Sequence, residues 1–276
     1  MVDISLHDVA DELGVHYMTV YRYVRQGLLP ATKRGRTWYV APSDVEVFRS
    51  SRVAVAEEPS PTGRRSAPWA QRLESRLVEG DERGALEVLE SALRAGNDVS
   101  FVYLDVMAPA LASIGERWAA GELGIHVEHR ASGIVLRMIG LIGSRFKHRG
   151  VSKGAVVMGA PAGEEHALVI SMVADLVRHE GWEVHDLGAN MPADAFAHAV
   201  EVSNDVVAVC VGVTGPQALS AARSTIAAIK RVSSVPVYAG GAAVGGDEAA
   251  RKLGADHWTG DARQLVGSLN QLARRN

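Results

Sequence analysis

The chain has 276 residues, of which 47% are apolar and 22% charged, with a net charge of −3 at neutral pH. Such a length suits two or three domains, and the apolar fraction excludes wholesale disorder. The near-neutral balance excludes a uniformly basic nucleic-acid binder, so any phosphate contact must come from a local patch. The one cysteine, Cys210, excludes a disulfide framework or a thiolate zinc cluster, and within the apolar run 206–213 it reads as an inert buried thiol. Met1–Asp11 carries acids rather than a basic-then-apolar leader pattern, and no apolar run reaches the roughly 18 residues of a membrane span. The expectation is a soluble, cytoplasmic protein with no membrane partner.

Ser5–Gly14 reads as a helix, with Ser5 as its N-cap and Asp8 completing a capping box. His16–Gln26 is a second helix after the tight turn at Gly14-Val15, and Gly27 is its C-cap. Leu28–Val40 reads as two short strands around a basic turn, and Pro42–Phe48 as a short helix. Residues 1–50 hold six basic and six acidic side chains. Five of the basic ones, Arg22, Arg25, Lys33, Arg34 and Arg36, fall between Tyr21 and Tyr39 with no acid among them. A basic stretch across a second helix and a wing is the footprint of phosphate contact with double-stranded DNA. Tyr17, Thr19, Tyr21 and Arg22 are the candidates for groove or phosphate contact, and a helical hairpin with no DNA role is the competing reading. Residues 51–68 then read as a flexible linker, since they include Glu57-Glu58-Pro59-Ser60-Pro61 and have no apolar period.

Residues 69–150 read as four helices: Ala70–Glu79, Glu82–Ala95 behind an Asp81 cap, Ser100–Ala119 and Ile125–Arg149. Short connections make them an antiparallel bundle. Trp118 closes the third helix, and Glu128-His129 follows after nine intervening residues. Three readings stand for this group. One is a cap over a planar ligand; another is a buried Trp with two solvated polar neighbours; a third has His126 and His129 chelating a metal, for which no third ligand has suitable spacing.

Residues 151–276 alternate strands with helices, which means a doubly wound parallel sheet. The strands are Gly154–Gly159, Glu183–Leu187, Val206–Val213, Val235–Ala239 and His257–Trp258, with helices His166–Glu180, Ala193–Ser203, Ala218–Val232, Asp247–Leu253 and Asp261–Arg274 between and after them. Open sheets of this kind bind ligands off the carboxyl ends of their strands. The turn after the first strand carries Glu164-Glu165-His166, where an acid two residues before a histidine can orient the imidazole. His166 is therefore the candidate metal ligand. Thr214-Gly215-Pro216 and Gly240-Gly241-Ala242 are the other ligand-facing loops, although paired glycines are also ordinary turn residues.

The first stretch resembles the winged helix-turn-helix of the MerR and excisionase type. The matching residues are Val9-Ala10, Gly14-Val15, Thr19-Val20-Tyr21-Arg22-Tyr23, Gly27-Leu28-Leu29 and Arg36-Thr37-Trp38-Tyr39-Val40. The bundle and sheet resemble the flavodoxin-like cobalamin-binding module of methionine synthase, through Glu164-x-His166, the loose counterpart Gly212-Val213-Thr214 and Gly240-Gly241. Module order and Trp118-x9-Glu128-His129 together resemble the CarH/LitR photoreceptor regulators. That resemblance implies adenosylcobalamin as cofactor and a DNA operator as partner, with a homo-oligomer, a tetramer with ligand, that light takes apart. It implies His166 as the lower axial ligand of cobalt and Glu164 as its orienter. Trp118, Glu128 and His129 would form the upper pocket, with Thr214, Gly240 and Gly241 beside the cofactor.

The chain departs from those patterns at two positions. Residue 169 is Val where the motif has Gly, and residue 119 is Ala where some photoreceptor members have a His that captures cobalt after photolysis. Three functions are weighed: a light-responsive regulator, a regulator that senses its ligand without photochemistry, and a corrinoid carrier. The DNA-binding head argues against the carrier. No nucleophile triad, phosphate loop or convergent carboxylate pair supports an enzyme.

Overall fold

The computed structural model describes residues 3–13, 20–21, 23–24, 29–34, 37–53, 68–143 and 150–273. The chain divides into two compact units, Met1–Ser66 and Ala67–Asn276.

In the first unit, β1 (Ile4–Ser5) leads into α1 (Leu6–Leu13), followed by β2 (Thr32–Arg34), β3 (Thr37–Val40) and α2 (Pro42–Val53). The capping box forms as the sequence specifies. The Asp8 amide donates to Ser5 Oγ (3.3 Å), and the Asp8 carboxylate accepts from the Ser5 hydroxyl (2.7 Å) and amide (3.1 Å). The strands form a sheet in the order β1-β3-β2, with Lys33 opposite Trp38 and its Nζ 5.9 Å from the ring centroid. Leu6, Val9, Val20, Leu29, Val40 and Val45 close the core.

Two expectations are corrected in this unit. The wing is one part of a three-stranded sheet, because Ile4 and Ser5 pair with Val40 and Tyr39. A two-residue strand carries no period of its own and is defined only by its partner. Helix α2 also runs on to Val53, past its expected end at Phe48, while residues 54–67 of the expected linker lie outside the described ones.

The second unit opens with α3 (Trp69–Glu79), α4 (Glu82–Arg94), α5 (Val99–Ala119) and α6 (Ile125–Gly143). Asp81 caps α4 by accepting from the Gly84 amide (2.8 Å), and Asp98 caps α5 through the Phe101 amide (2.7 Å). The expected extension of the last helix through residues 144–149 lies outside the described residues.

Helix α5 widens into a π turn at Val102–Met107, where the Ala108 amide bonds to the Tyr103 carbonyl. Pro109 explains the widening. It has no amide to give the Asp105 carbonyl, and its ring crowds that group. Among the described residues α5 is the one helix that is long and apolar enough to cross a membrane, by length and composition alone. Its Val102, Tyr103, Val106, Met107, Ala110 and Ile114 are buried in the bundle core.

The sheet follows. It alternates β4 (Ala155–Gly159), α7 (Ala167–His179), β5 (Glu183–Asp186), α8 (Ala193–Val202), β6 (Val206–Gly212), α9 (Leu219–Val232), β7 (Val237–Gly240), α10 (Asp247–Leu253), β8 (His257–Thr259) and α11 (Ala262–Ala273). The spatial order β5-β4-β6-β7-β8, all parallel, is the flavodoxin-like arrangement. Cys210 is buried within β6, and burial pushes its thiol up to about 12, in keeping with an inert side chain.

Bundle and sheet share a core. Met172 and Leu176 of α7 and Ala262 of α11 are buried among the bundle side chains. The π turn supplies the polar links: the buried Tyr103 hydroxyl donates to Asp175 Oδ2 of α7 (2.8 Å), and Asp105 pairs with Arg263 of α11. Arg178 donates to the other Asp175 oxygen (3.0 Å). A Cβ on Gly143 would lie 2.2 Å from Asp175 Oδ2, so a glycine is needed where α6 meets the carboxylate.

Tyr103→Phe removes one donor from a buried carboxylate, so its expected cost is about 1–3 kcal/mol in urea unfolding. Asp105→Ala breaks a half-exposed pair and is expected to cost less than about 1 kcal/mol. Equal costs would show that the buried bond does not set the joint.

Candidate functional site

The chain leaves β4 at Gly159 and turns through 160–166 into α7. The turn is fastened to the segment after β5. Ala160 donates to the Gly188 carbonyl (2.8 Å), Met191 to that of Ala160 (2.9 Å), and Asn190 to that of Glu164 (2.8 Å). Asn190 also accepts from the Gly163 amide through its side chain (2.8 Å), while holding a left-handed backbone at φ 56°. Sequence reasoning did not single out Asn190. An Asn two residues after a Gly is an ordinary turn signal, and its partner lies 27 residues away.

Glu164 is the centre of the turn, and its side chain is buried. Its Oε2 accepts from the amides of Thr214 (2.6 Å) and Gly215 (2.7 Å) in the loop after β6. Its Oε1 accepts from the His166 amide (3.2 Å) and faces His166 Nδ1. Burial alone would raise this carboxyl. The bonds from Gly215, His166 and Thr214 outweigh burial and hold it below the ordinary glutamate range. An ionised carboxylate only accepts, so Nδ1 carries the proton, and in the neutral ring the lone pair then lies on Nε2. The imidazole side chain is 53% exposed at the N-cap of α7, which leaves Nε2 available to a metal ion.

Glu164, His166 and Thr214 therefore form one bonded cluster, and Thr214 enters it through its main chain. Gly240 ends the adjacent strand β7, and Gly241 begins the loop after it. Gly240 is in register with Gly212, and its carbonyl accepts from the Val213 amide (2.8 Å). A Cβ on Gly241, whose φ is +103°, would lie 2.4 Å from the Val213 carbonyl oxygen, and one on Gly240 would lie 2.8 Å from Thr259 Oγ1. Both glycines allow close approach of this chain to itself.

The bundle residues form a second group. His129 Nδ1 bonds Glu128 Oε2 (2.7 Å), and Ser132 Oγ donates to Glu128 Oε1 (2.8 Å). Trp118, at the end of α5, is 44% exposed, so it is not the buried tryptophan of the blander reading. Among the described residues no hydrogen bond joins this group to the Glu164 cluster, and no set of three or more metal-ligating side chains gathers around His126 and His129.

Of the expected DNA contacts, Tyr17, Thr19, Arg22, Arg25 and Arg36 lie outside the described residues. Tyr21 lies in a helical stretch and packs against the core of the first unit. Lys33 and Arg34 lie on β2, where Lys33 is exposed beside Trp38.

Residues 4–53 match a helix-turn-helix domain. Residues 69–142 and 154–267 each match a B12 binding domain. Trimethylamine corrinoid protein 1 of Methanosarcina acetivorans is 29% identical over 48% of this chain and 63% of its own length. The HTH-type transcriptional repressor CarH of Myxococcus xanthus is 28% identical over 48% of this chain and 43% of its own. The chain thus spans less than two thirds of either relative. The solved monomethylamine corrinoid protein of Methanosarcina barkeri has the same fold. It superimposes with a TM-score of 0.65 at 15% identity, over 74% of this chain and 98% of that one.

Glu164→Gln replaces a charged acceptor of three amides with a neutral one, and it is expected to cost roughly 1.5–3 kcal/mol in chemical unfolding. Because the folded pKa is depressed, the contribution of Glu164 is complete above the ordinary glutamate range and is lost as pH falls through the lowered value. The cost of the substitution should therefore shrink as unfolding is repeated from about pH 6 down to about pH 3. A constant cost would show that the charge is not what holds the turn.

Proposed function

We propose that this chain, a helix-turn-helix joined to a pair of B12-binding domains, is a transcriptional regulator of the MerR type, not an enzyme. In this reading it holds adenosylcobalamin and changes its assembly in light. The single observation that carries the reading is the Glu164–His166 pair on a chain with a DNA-binding head. The buried carboxylate bonds Nδ1 of an imidazole whose side chain is half exposed, which suits a ligand to a corrinoid cobalt. When bound, the cofactor supplies a cobalt–carbon bond that light breaks.

The protein's own residues do the rest. His166 would hold the cobalt, with Glu164 keeping the ring oriented and the proton on Nδ1. Trp118, half exposed at the end of α5, would help hold the adenosyl group, with Glu128 and His129 beside it. Residues of the bundle and the sheet would hold the cofactor between them and so fix the surface on which copies of the chain assemble as a tetramer. Without the cofactor that surface would be freed and the DNA-binding heads would separate. Loss of avidity alone lowers DNA affinity by roughly 10²–10⁴ without altering a DNA contact. Lys33 and Arg34 on β2, together with Tyr17, Thr19, Tyr21, Arg22, Arg25 and Arg36, contact the operator, and the protein works in the cytoplasm. Ala119 provides no imidazole to capture cobalt after photolysis, so the illuminated state lacks a second histidine from that position.

A corrinoid carrier is the second reading. The likeness to trimethylamine corrinoid protein 1 favours it, and the helix-turn-helix match to residues 4–53 opposes it.

The test is a visible spectrum of the full chain after loading with adenosylcobalamin in the dark and desalting, repeated after green light, with size-exclusion chromatography of both samples. A retained spectrum that changes on illumination, with a smaller species after light, is the expected result, and His166→Ala should lose the axial-ligand signature. Trp118→Ala should keep the bound cofactor but weaken the dark assembly. A retained spectrum that light leaves unchanged would favour ligand sensing without photochemistry. Bound methylcobalamin with no affinity for DNA would favour the carrier.

A further inference from the structure

The turn that carries Glu164 and His166 has one soft point, and a residue outside the turn holds it. The Glu164 amide donates to the Pro161 carbonyl (3.0 Å), which closes a four-residue turn from Pro161 to Glu164. Gly163 is the third residue of that turn, with φ at +80°. A positive φ at the third position, and not at Ala162 before it, is the type II form. The type I form joins the same ends with the central peptide turned over. Glycine takes either sign of φ freely, and a Cβ at residue 163 would meet nothing within 4 Å. Neither the residue itself nor side-chain crowding around it selects the form present.

Asn190 selects it. Its Oδ1 accepts from the Gly163 amide (2.8 Å), which belongs to the peptide that would turn over. Its own amide donates to the Glu164 carbonyl (2.8 Å). Three successive peptides are thereby fixed: 162–163 by the Asn190 side chain, 163–164 by the Pro161 carbonyl, and 164–165 by the Asn190 main chain. The peptide planes on either side of a residue define its φ and ψ. These bonds therefore set the backbone of Gly163 and Glu164, and with it the direction in which the Glu164 side chain leaves the chain. That side chain has to reach the amides of Thr214 (2.6 Å), Gly215 (2.7 Å) and His166 (3.2 Å) at once. Asn190 is itself held in place. The bonds from Ala160 to the Gly188 carbonyl (2.8 Å) and from Met191 to that of Ala160 (2.9 Å) bracket it, and asparagine holds a φ of 56° at lower cost than most residues.

We infer that Asn190 is a positioning residue for the candidate metal ligand: its carboxamide locks the Gly163 peptide, which aims Glu164 and so presents the His166 imidazole to a corrinoid cobalt in one orientation. The inference rests on the corrinoid reading above. In this account Asn190 acts on His166 only through the turn and Glu164, and the segment after β5 belongs to the site although it supplies no ligand to the metal.

The test uses the full chain. Asn190→Gly permits the left-handed backbone and removes the carboxamide, while Asn190→Asp keeps an acceptor in the same place. The first readout needs no cofactor. In amide hydrogen exchange followed by NMR, Asn190→Gly should speed exchange by about three- to tenfold at Gly163, and also at Thr214 and Gly215, which Asn190 does not touch. Faster exchange at Gly163 alone would overturn the proposal, because Glu164 would then be aimed without Asn190. The second readout is the dark spectrum of bound adenosylcobalamin. Asn190→Gly should move it part of the way toward that of adenosylcobinamide, whose lower position holds water, and Asn190→Asp should keep the spectrum of the unaltered protein. An unmoved spectrum in the glycine variant, or an aspartate variant that behaves like the glycine one, would count against the proposal equally. Gly163→Ala strains the φ of +80° without a clash and so disfavours the same peptide orientation from the other side. It should give the same spectral change, which keeps the proposal testable if Asn190→Gly folds poorly, and an unmoved spectrum there would sink it. No retained colour in the unaltered protein would instead sink the corrinoid reading, and the exchange measurement would then decide the role of Asn190 in the turn.

Discussion

The buried carboxylate of Glu164 is the constraint on which the site depends. A buried charge is costly unless it is paired and hydrogen-bonded. Here one oxygen receives two amides from the loop after β6, while the other receives the His166 amide and faces its ring. The carboxylate therefore ties together the ends of β4 and β6 and the start of α7. It also fixes which imidazole nitrogen bears the proton. Asn190 secures the same turn from the β5 side, so the histidine is set by contacts from three strand ends.

The second organising feature is the joint between bundle and sheet. Pro109 interrupts the hydrogen bonding of α5, and the resulting π turn presents Tyr103 and Asp105 toward the α/β layer. Tyr103 is buried and bonds Asp175, nine residues along the chain from His166 on the same helix. Burial, with the Asp175 carboxylate adding to it, pushes the Tyr103 hydroxyl well above the ordinary range, so it stays a neutral donor. Helix α7 thus begins at the candidate metal ligand and ends in the core shared with the bundle. The helix therefore connects His166 to the bundle through packed side chains, an arrangement that the proposed ligand-controlled assembly would use, because a ligand shifts only equilibria whose states it binds differently.

The glycines divide into two kinds under the same physical test. At Gly240 and Gly241 the backbone of another part of this chain comes too close for a side chain, while at Gly143 and Gly212 the close neighbours are the side-chain ends of Asp175 and Ile170. Gly163 has open space around the position of a Cβ, and its φ of +80° is the feature that suits glycine. The paired glycines at the end of β7 bring the chain against Val213 and Thr259.

The sequence by itself determined the order of modules, the parallel sheet, the capping residues Ser5 and Asp81, and the Glu164–His166 pair. These are local: strand–helix alternation, side-chain caps three residues from their partners, and an acid two residues from a histidine all leave a mark within a few positions. The tertiary structure alone decided the rest. It added β1 to the wing, widened α5, recruited Asn190, buried Glu164 beneath the amides of Thr214 and Gly215, and seated Ile170 on Gly212. Each depends on atoms brought together from distant positions, where packing and hydrogen-bond satisfaction act, and neither writes a period or a motif into the chain.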